Sequence, residues 1–370
     1  MNFILNNKSY KNNYFFSKYK RVFIITGKNS FYKSKLNKVI LDIFKEKQIF
    51  IFFKKKKIPE LLELKKIILN INKFKPDLVL GIGGGSVIDY SKLSNVLICE
   101  KNIENCIKHN KVSEKKRCDL VILPTTAGSG AESTNFSVIY IKNNKFSLES
   151  KIMKPNKVFF YPKALLKLPQ SVRASSGFDA IAQSVESIFS LKSNTKSIYF
   201  ARKSLKILFS NYLNFVLKPN LKNSKNMLVG SNLSGKAINI SKTNAPHAVS
   251  YPFTSLFGIN HGHAVSLNFL KFMKLYYLKR FDSISEFSIN DRFLILFNLL
   301  KVSNFFEFNK FFIILLKKVK LEQDLKKLGI QTSEYKKIIS HINDDRLKNS
   351  PIYINKKVAQ CVMFGSYGIS

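Results

Sequence analysis

The sequence predicts an α/β domain built on a doubly wound parallel sheet, followed by an all-helical domain. Up to about Lys151, short apolar runs alternate with segments of helical periodicity, as in strands joined by crossover helices. Beyond about Pro169, strand-like runs almost vanish and 3.6-residue periodicity predominates. The length of 370 residues also suits two domains. We therefore divide the chain into a frayed leader (1–19), an α/β domain (20–165) and a helical domain (166–370).

The individual elements follow from apolar periodicity. Buried strands are predicted where short runs rich in β-branched or aromatic residues end at Gly, Pro or Lys, namely at 22–26, 48–53, 78–82 and 120–123. Helical spacing between these strands predicts helices at 31–45, 58–72 and 86–99. In the second half the same spacing predicts helices at 178–190, 195–213, 224–240, 263–279, 284–300 and 310–328.

The composition is strongly basic, with 62 Lys and Arg against 23 Asp and Glu and a formal net charge of +39. Such a surface attracts polyanions, but the basic runs lie between apolar segments, as solvated loops usually do. We therefore expect no specific nucleic-acid partner. A hydrophobic content of 45% is enough for real cores and excludes a disordered basic tail.

The apolar runs are shorter than the roughly 18 residues that a membrane-spanning helix needs. The N-terminus also lacks the apolar core of a signal peptide. Four cysteines, Cys99 among them, have no metal-ribbon spacing and predict reduced thiols. We expect a cytoplasmic protein with no membrane partner.

A glycine-rich turn follows the third predicted strand and opens the next helix. Residues 81–89 have the sequence GIGGGSVID, which places Gly83, Gly84, Gly85 and Ser86 at the turn. Glycines there let backbone N–H groups approach a pyrophosphate, and the helix N-terminus adds partial positive charge. The turn predicts a dinucleotide phosphate site, the alternative being a tight turn without a ligand.

A second small-residue loop, PTTAGSG at 124–130, follows the next predicted strand. Because parallel strands end at the same edge of a sheet, the hydroxyls of Thr125, Thr126 and Ser129 should reach the first turn. The two loops together predict a cofactor cleft.

Three of the five histidines, His247, His261 and His263, lie within seventeen residues of one another. Upstream, Asp179 and Gln183 stand four residues apart, so both project from one face of a helix. Asp179, His247 and His261 could supply a carboxylate and two imidazoles to a divalent cation. The alternative is a helix-capping aspartate with histidines that hydrogen-bond within a helical core.

In their order along the chain, these motifs resemble the iron-containing (group III) alcohol dehydrogenases. The likeness includes Asp89 after the glycine turn and runs from about Lys20 to Pro351. It implies a dehydroquinate synthase-like architecture, with a Rossmann-like dinucleotide domain, a helical metal and substrate domain, and a metal between them. It also implies NAD(P)-dependent interconversion of an alcohol with an aldehyde or ketone.

The resemblance implies a metal site of one aspartate and three histidines, but this chain has Gln183 at the second ligand position. A neutral amide oxygen is a poorer ligand for iron or zinc than imidazole. We expect Fe²⁺ or Zn²⁺ on Asp179, Gln183, His247 and His261. The metal would polarise the aldehyde oxygen while the reduced nicotinamide delivers hydride. Without a metal, protonated His261 or His263 would have to supply the proton and the charge.

The resemblance also implies a cofactor site. The residues that it places on NAD(P)H are Gly83, Gly84, Gly85, Ser86, Asp89, Thr125, Thr126, Ser129 and Lys145, the last beside the ribose. Lysines 54–57 follow the second strand, where NAD-preferring members commonly carry an acidic residue. They favour NADPH, because lysines can accept a 2′-phosphate, the alternative being a surface loop filled with lysine by compositional drift.

Within the family, three segments resemble the phosphonoacetaldehyde reductases: FDAIAQSVES at 178–187, APHAVSYPFTS at 245–255 and HGHAV at 261–265. The branch implies reduction of phosphonoacetaldehyde, a small-molecule aldehyde, to 2-hydroxyethylphosphonate, and we expect a homodimer. Nearby cations that could bind the phosphonate are Lys236, Lys242, Arg173 and His263.

Three other functions stay open. They are a general alcohol or lactaldehyde dehydrogenase of the same family, a dehydroquinate synthase-like lyase, and a decayed basic binding protein. Net cofactor turnover would separate a dehydrogenase from the lyase, which uses NAD only transiently.

Overall fold

The computed structural model describes residues 3–4, 14–97, 102–112, 115–142 and 144–365, so Cys99 lies outside the described residues. The chain divides into two compact units. The first comprises Met1–Leu168 with Pro219–Leu228, and the second comprises Pro169–Lys218 with Val229–Ser370.

The first unit is an α/β structure. Its strands are β1 (Phe3–Ile4), β2 (Arg21–Gly27), β3 (Gln48–Lys54), β4 (Leu78–Gly83), β5 (Asp119–Pro124), β6 (Phe136–Ile141), β7 (Asn144–Glu149) and β8 (Lys157–Phe160). Its helices are α1 (Lys28–Tyr32), α2 (Leu36–Ile43), α3 (Leu61–Phe74), α4 (Gly85–Val96) and α5 (Ile103–Lys108). Six strands form a parallel sheet in the order β1-β8-β5-β4-β2-β3, and β6 and β7 form a separate antiparallel hairpin.

The central strands are continuous apolar runs because helices cover both faces of a parallel sheet. Every residue of β4 is buried, whereas β3, at the edge of the sheet, is only half-buried. The four predicted strands agree with β2, β3, β4 and β5 to within one residue at either end. The short strand β1 pairs with β8, so residues 3–4 of the predicted leader belong to the sheet.

The second unit is helical. Its helices, with α8 shared between the units, are α6 (Gln170–Phe189), α7 (Thr195–Leu217), α8 (Leu221–Ser241), α9 (Ala245–Phe257), α10 (His261–Leu278), α11 (Ile289–Leu300), α12 (Phe305–Lys318), α13 (Tyr335–Ser340), α14 (Asp344–Leu347) and α15 (Lys356–Phe364). The predicted fold class, a parallel α/β unit followed by helices, is confirmed. None of the described helices is both long and apolar enough to cross a membrane.

Some helices differ from the prediction for local reasons. The predicted helix 31–45 is split into α1 and α2 because Lys35 adopts a left-handed backbone with φ 60°. The sequence did not predict α9, which carries Pro246 in its first turn and Pro252 inside it. It ends at Gly258, whose φ of +67° favours glycine.

Candidate functional site

The first loop of the candidate cofactor site joins β4 to α4. Among the described residues no side chain caps α4 at Gly84, so no cap competes with an anion for the first N–H groups of the helix. A Cβ on Gly83 would lie 2.4 Å from Val87 Cγ2. Glycine therefore allows the tight strand-to-helix turn, as the sequence predicts.

The second loop leaves β5 directly beside the first. Gly83 pairs with Pro124, and Thr125 N donates to Gly83 O at 3.0 Å. A Cβ on Gly84 would meet Thr126 Oγ1 at 3.0 Å, and a Cβ on Gly85 would meet Ser129 Oγ at the same distance. The small residues therefore let the two loops meet at one edge of the sheet.

Thr125 carries the clearest sign of a missing partner in this cleft. Its hydroxyl oxygen is buried and has no hydrogen-bond partner among the described residues. Buried hydroxyls are normally paired, because leaving one unsatisfied costs about 1–3 kcal/mol. A polar ligand in the cleft would satisfy it.

Asp89, predicted to bind the cofactor, accepts a hydrogen bond within the protein, and its contact with a cofactor stays a prediction. Its Oδ1 accepts from Val138 N at 3.2 Å. Burial raises the pKa of Asp89 to about 6, although the charges of Lys92 and Lys145 oppose the shift. Lys145 lies on the hairpin opposite Tyr140 and is near enough to Asp89 to influence that pKa.

Lys92, which sequence reasoning missed, is fully buried below the second loop. Its Nζ donates to Thr134 O at 2.8 Å, to Thr134 Oγ1 at 2.9 Å and to Phe136 O at 3.1 Å. Burial lowers the pKa of Lys92 to about 8, and the charge of Asp89 limits the shift. The ammonium fixes the chain just after the second loop.

In the helical unit, α6, α9 and α10 bring Asp179, His247 and His261 together. One ligand atom from each lies within 4.8 Å of the other two. His247 Nε2 lies 3.1 Å from Asp179 Oδ1, and His261 Nε2 lies 3.9 Å from the same oxygen. Asp179 and His247 are buried, whereas the His261 side chain is 34% exposed. The arrangement offers a carboxylate and two imidazoles to one cation.

Glu186 hydrogen-bonds to the ring nitrogen of His247 that does not contact Asp179, a role that the sequence analysis did not assign. Its fully buried carboxylate accepts from Asn244 N at 2.9 Å and forms a short hydrogen bond with His247 Nδ1. A ligating histidine commonly donates its other ring nitrogen to a carboxylate in this way. Because Glu186 is seven residues after Asp179, two turns of α6 place both on one face.

The charges in this group depend on one another. Burial alone would lower the pKa of His247, but the carboxylates of Glu186 and Asp179 outweigh it and raise that pKa to about 10. Burial alone would raise the pKa of Asp179, but hydrogen bonds from His247 and Gln183 and the charge of His261 hold it below its ordinary value. Asp179 is therefore an anion at neutral pH.

Gln183, predicted as the fourth ligand, is engaged with its neighbours. Its Oε1 accepts from Ser234 Oγ at 3.0 Å, and its side chain also hydrogen-bonds to Asp179. The amide thus links the hydroxyl of α8 to the carboxylate of α6.

His261 stacks on an aromatic ring, whereas the His263 ring contacts a backbone carbonyl. The Tyr251 ring stacks on the His261 imidazole with centroids 5.5 Å apart and an angle of 8°. His263 Nε2 is 2.7 Å from the Glu322 carbonyl oxygen, and His263 N donates to Ser175 Oγ. Among the described residues, the group that could hold a metal ion (Asp179, His247 and His261, hereafter the metal-ligand group) contains His261 and not His263.

The other cations proposed for a phosphonate have protein contacts of their own. Arg173 is buried, and its guanidinium donates to Val216 O at 2.8 and 3.2 Å. Lys242 Nζ lies 3.5 Å from Asn239 O, and Lys236 Nζ lies 5.8 Å from the centre of the Phe200 ring.

Comparison with known proteins gives matches along both units. Residues 5–162 match the family model described as iron-containing alcohol dehydrogenase, and residues 173–362 match the C-terminal model of the Fe-containing alcohol dehydrogenase family. The iron-containing alcohol dehydrogenase of Thermotoga maritima has a similar structure, with a TM-score of 0.81 and 26% identity, over 98% of this chain and 95% of that one.

Curated relatives match less of their length. A 4-hydroxybutyrate dehydrogenase of Clostridium kluyveri is 29% identical over 58% of this chain and 59% of the relative. A phosphonoacetaldehyde reductase of Streptomyces viridochromogenes is 28% identical over 52% of each. The matched part of the chain thus spans between half and three fifths of these two proteins.

Proposed function

The chain belongs to the iron-containing alcohol dehydrogenase family, and from that premise we propose that it reduces a small aldehyde to its alcohol with NAD(P)H. The observation that carries the proposal is the convergence of Asp179, His247 and His261 with Glu186 behind them. One carboxylate and two imidazoles suit Fe²⁺ or Zn²⁺ and leave a position open for substrate. When bound, the cation supplies a Lewis acid that polarises the carbonyl oxygen.

The protein's own residues prepare this site. Glu186 accepts the Nδ1 proton of His247 and so orients the ring with Nε2 towards Asp179. A cation held here would take the place of the Nε2 proton. Gln183 and Ser234 hold the Asp179 carboxylate from the other side. We assign Gln183 this orienting role in place of direct ligation.

When bound, the reduced nicotinamide would supply hydride to the aldehyde carbon, and the oxygen would take up a proton from solvent to give the alcohol. His261 has the most exposed side chain of the three residues and would therefore lie nearest to the reacting oxygen. His263 was also proposed as a proton donor, but its contact with the Glu322 carbonyl favours a role in fixing the start of α10.

For the cofactor, we propose that Gly83, Gly84, Gly85 and Ser86 bind the pyrophosphate through backbone N–H groups. The unpaired hydroxyl of Thr125 supports a polar ligand in the same cleft, which Thr126 and Ser129 would line. Lys145 would approach the ribose. The lysines at 54–57 lead us to favour NADPH over NADH.

We propose phosphonoacetaldehyde as the substrate and 2-hydroxyethylphosphonate as the product. A phosphonoacetaldehyde reductase is among the relatives, and the 4-hydroxybutyrate of another relative's name is also a small molecule with an anionic end. We further propose that the enzyme is a cytoplasmic homodimer with no nucleic-acid or membrane partner.

The test is oxidation of NADPH and NADH with phosphonoacetaldehyde, propanal or lactaldehyde, on protein prepared with Fe²⁺, with Zn²⁺ and after chelation. We expect metal-dependent turnover of phosphonoacetaldehyde, lost in Asp179→Asn and kept in the exposed control Asp282→Asn. Turnover of the neutral aldehydes alone would replace the phosphonate substrate with a general alcohol dehydrogenase. No net cofactor oxidation with any metal would refute the dehydrogenase and favour a lyase or a binding protein.

A further inference from the structure

Arg346 lies at the end of a row of planar groups that begins at the candidate metal centre. Its guanidinium carbon is 5.2 Å from the centre of the Tyr251 ring. The same ring stacks on His261 with a centroid distance of 5.5 Å. The guanidinium carbon is therefore no farther from the centre of the His261 ring than the sum of these two distances. This cation is within reach of a small molecule bound at the metal-ligand group.

The guanidinium of Arg346 is also uncommitted. Among the residues that the structure describes, it makes no hydrogen bond or ion pair, and its recorded contact is with Tyr251. The two carboxylates next to it along α14 are paired elsewhere, Asp345 with Lys348 at 2.7 Å and Asp344 with Lys356 at 3.5 Å. Its five N–H donors are thus available to a ligand.

An arginine is unusual in this chain. Only seven of the 62 basic residues are Arg. Two others are used inside the protein, since Arg173 donates to Val216 O and Arg21 to Phe74 O. A planar guanidinium differs from a lysine ammonium in offering paired donors that match two oxygens of a phosphonate, sulfonate or carboxylate.

We propose that Arg346 binds the anionic end of the substrate and thereby selects aldehydes that carry an oxyanion group on a short carbon chain. The two distances through Tyr251 set an upper limit on the gap between the His261 ring and the Arg346 guanidinium. A metal–ligand bond of about 2 Å, a short carbon chain and a charge-assisted hydrogen bond of about 2.8 Å can bridge a gap of that size. The inference rests on the proposed function, since it assigns the substrate class of the same site. It also replaces Lys242, Lys236, Arg173 and His263 as the anion-binding group.

The first test compares substrates of different charge. The variants are Arg346→Gln and Arg346→Lys, and the control is Arg292→Gln, which removes a guanidinium that lies 4.3 Å from the centre of the Phe287 ring. We expect Arg346→Gln to raise KM for phosphonoacetaldehyde about ten- to a hundredfold while kcat and the KM for propanal stay unchanged. Arg346→Lys should recover part of the loss. Sulfoacetaldehyde and succinic semialdehyde, tested in the same way, identify which oxyanion is preferred.

The second test needs no turnover. In calorimetric titration, wild type and Arg292→Gln should bind 2-hydroxyethylphosphonate. Arg346→Gln should bind it about ten- to a hundredfold more weakly, the same factor as for KM. The inference is overturned if Arg346→Gln binds the phosphonate as wild type does, or if its KM rises equally for propanal. If wild type reduces no aldehyde at all, the proposed function fails, and the titration still decides whether Arg346 binds an oxyanion.

Discussion

Replacing Lys92 with methionine tests whether a buried ammonium holds the second loop of the cofactor cleft. Lys92 is fully buried and donates to oxygens of Thr134 and Phe136, just beyond that loop. Asp89 is close enough that each charge shifts the pKa of the other. Methionine keeps an unbranched side chain of similar size but removes the charge and the donors.

We expect Lys92→Met to lower the free energy of unfolding by about 3–5 kcal/mol, because it leaves the oxygens of Thr134 and Phe136 without their buried donor and removes a buried charge that offsets Asp89. Lys38→Met, at an exposed position on α2, should stay within about 0.5 kcal/mol of wild type. The double variant Asp89→Asn/Lys92→Met should lose less than the two single variants together, with a coupling of about 0.5–3 kcal/mol. Removing both charges leaves neither one buried without a partner.

Urea unfolding, analysed with both midpoint and slope, measures these differences. NADPH titration of the folded variant should also give weaker binding, because the loop with Thr125, Thr126 and Ser129 precedes the anchored residues. If Lys92→Met costs no more than Lys38→Met, or if the Asp89 and Lys92 effects simply add, the anchoring role is wrong.

Three further predictions concern single side chains. Glu186→Gln should weaken metal affinity about 10- to 100-fold, measured by competition with a chelator, because His247 loses its anionic acceptor; unchanged affinity would contradict this. Thr125→Val should weaken NADPH binding without lowering the urea midpoint, since the hydroxyl has no partner among the described residues, whereas Thr134→Val, which removes an acceptor of Lys92, should lower the midpoint. Burial opposes ionisation of Asp119, but hydrogen bonds from Lys18 and Tyr19 hold its pKa below 3.8. Its stabilisation is therefore present above that value and lost as pH falls below it, so the gap in urea midpoint between wild type and Asp119→Asn should narrow in acid.

The parts of the fold that were predictable are those with local causes. Strands such as β4 are uniform apolar runs that end at glycine, so their bounds follow from the residues themselves. Helix α9 was missed because Pro252 opposes a helix interior, although Pro246 in the first turn is compatible with a helix and the packing of α9 against α10 favours one. The break at Lys35 likewise depends on a left-handed backbone that lysine does not favour by itself.

The candidate site likewise contains residues that the sequence predicts and residues that it does not. Asp179, His247 and His261 were predictable as neighbours because histidines are rare in this chain and His247 and His261 lie in short motifs. Glu186 could have been found from the sequence, since it follows Asp179 by two helical turns. Arg346 had none, because it reaches the site only through the packing of α14 on α9. The contact of Asp89 with the cofactor stays a prediction from its motif, and the sequence did not indicate that Val138 N would donate to its carboxylate.

Gln183 is the residue that most favoured a decayed enzyme, and its contacts argue against decay. Loss of a ligand by drift would leave a buried amide without partners, which is costly. Here the amide accepts from Ser234 and hydrogen-bonds to Asp179, whose carboxylate in turn contacts His247. Catalytic zinc sites commonly use three protein ligands and leave the fourth position to water or substrate. A site of Asp179, His247 and His261 matches that arrangement, so the change at Gln183 is compatible with chemistry at this centre and gives the amide a structural reason to be retained.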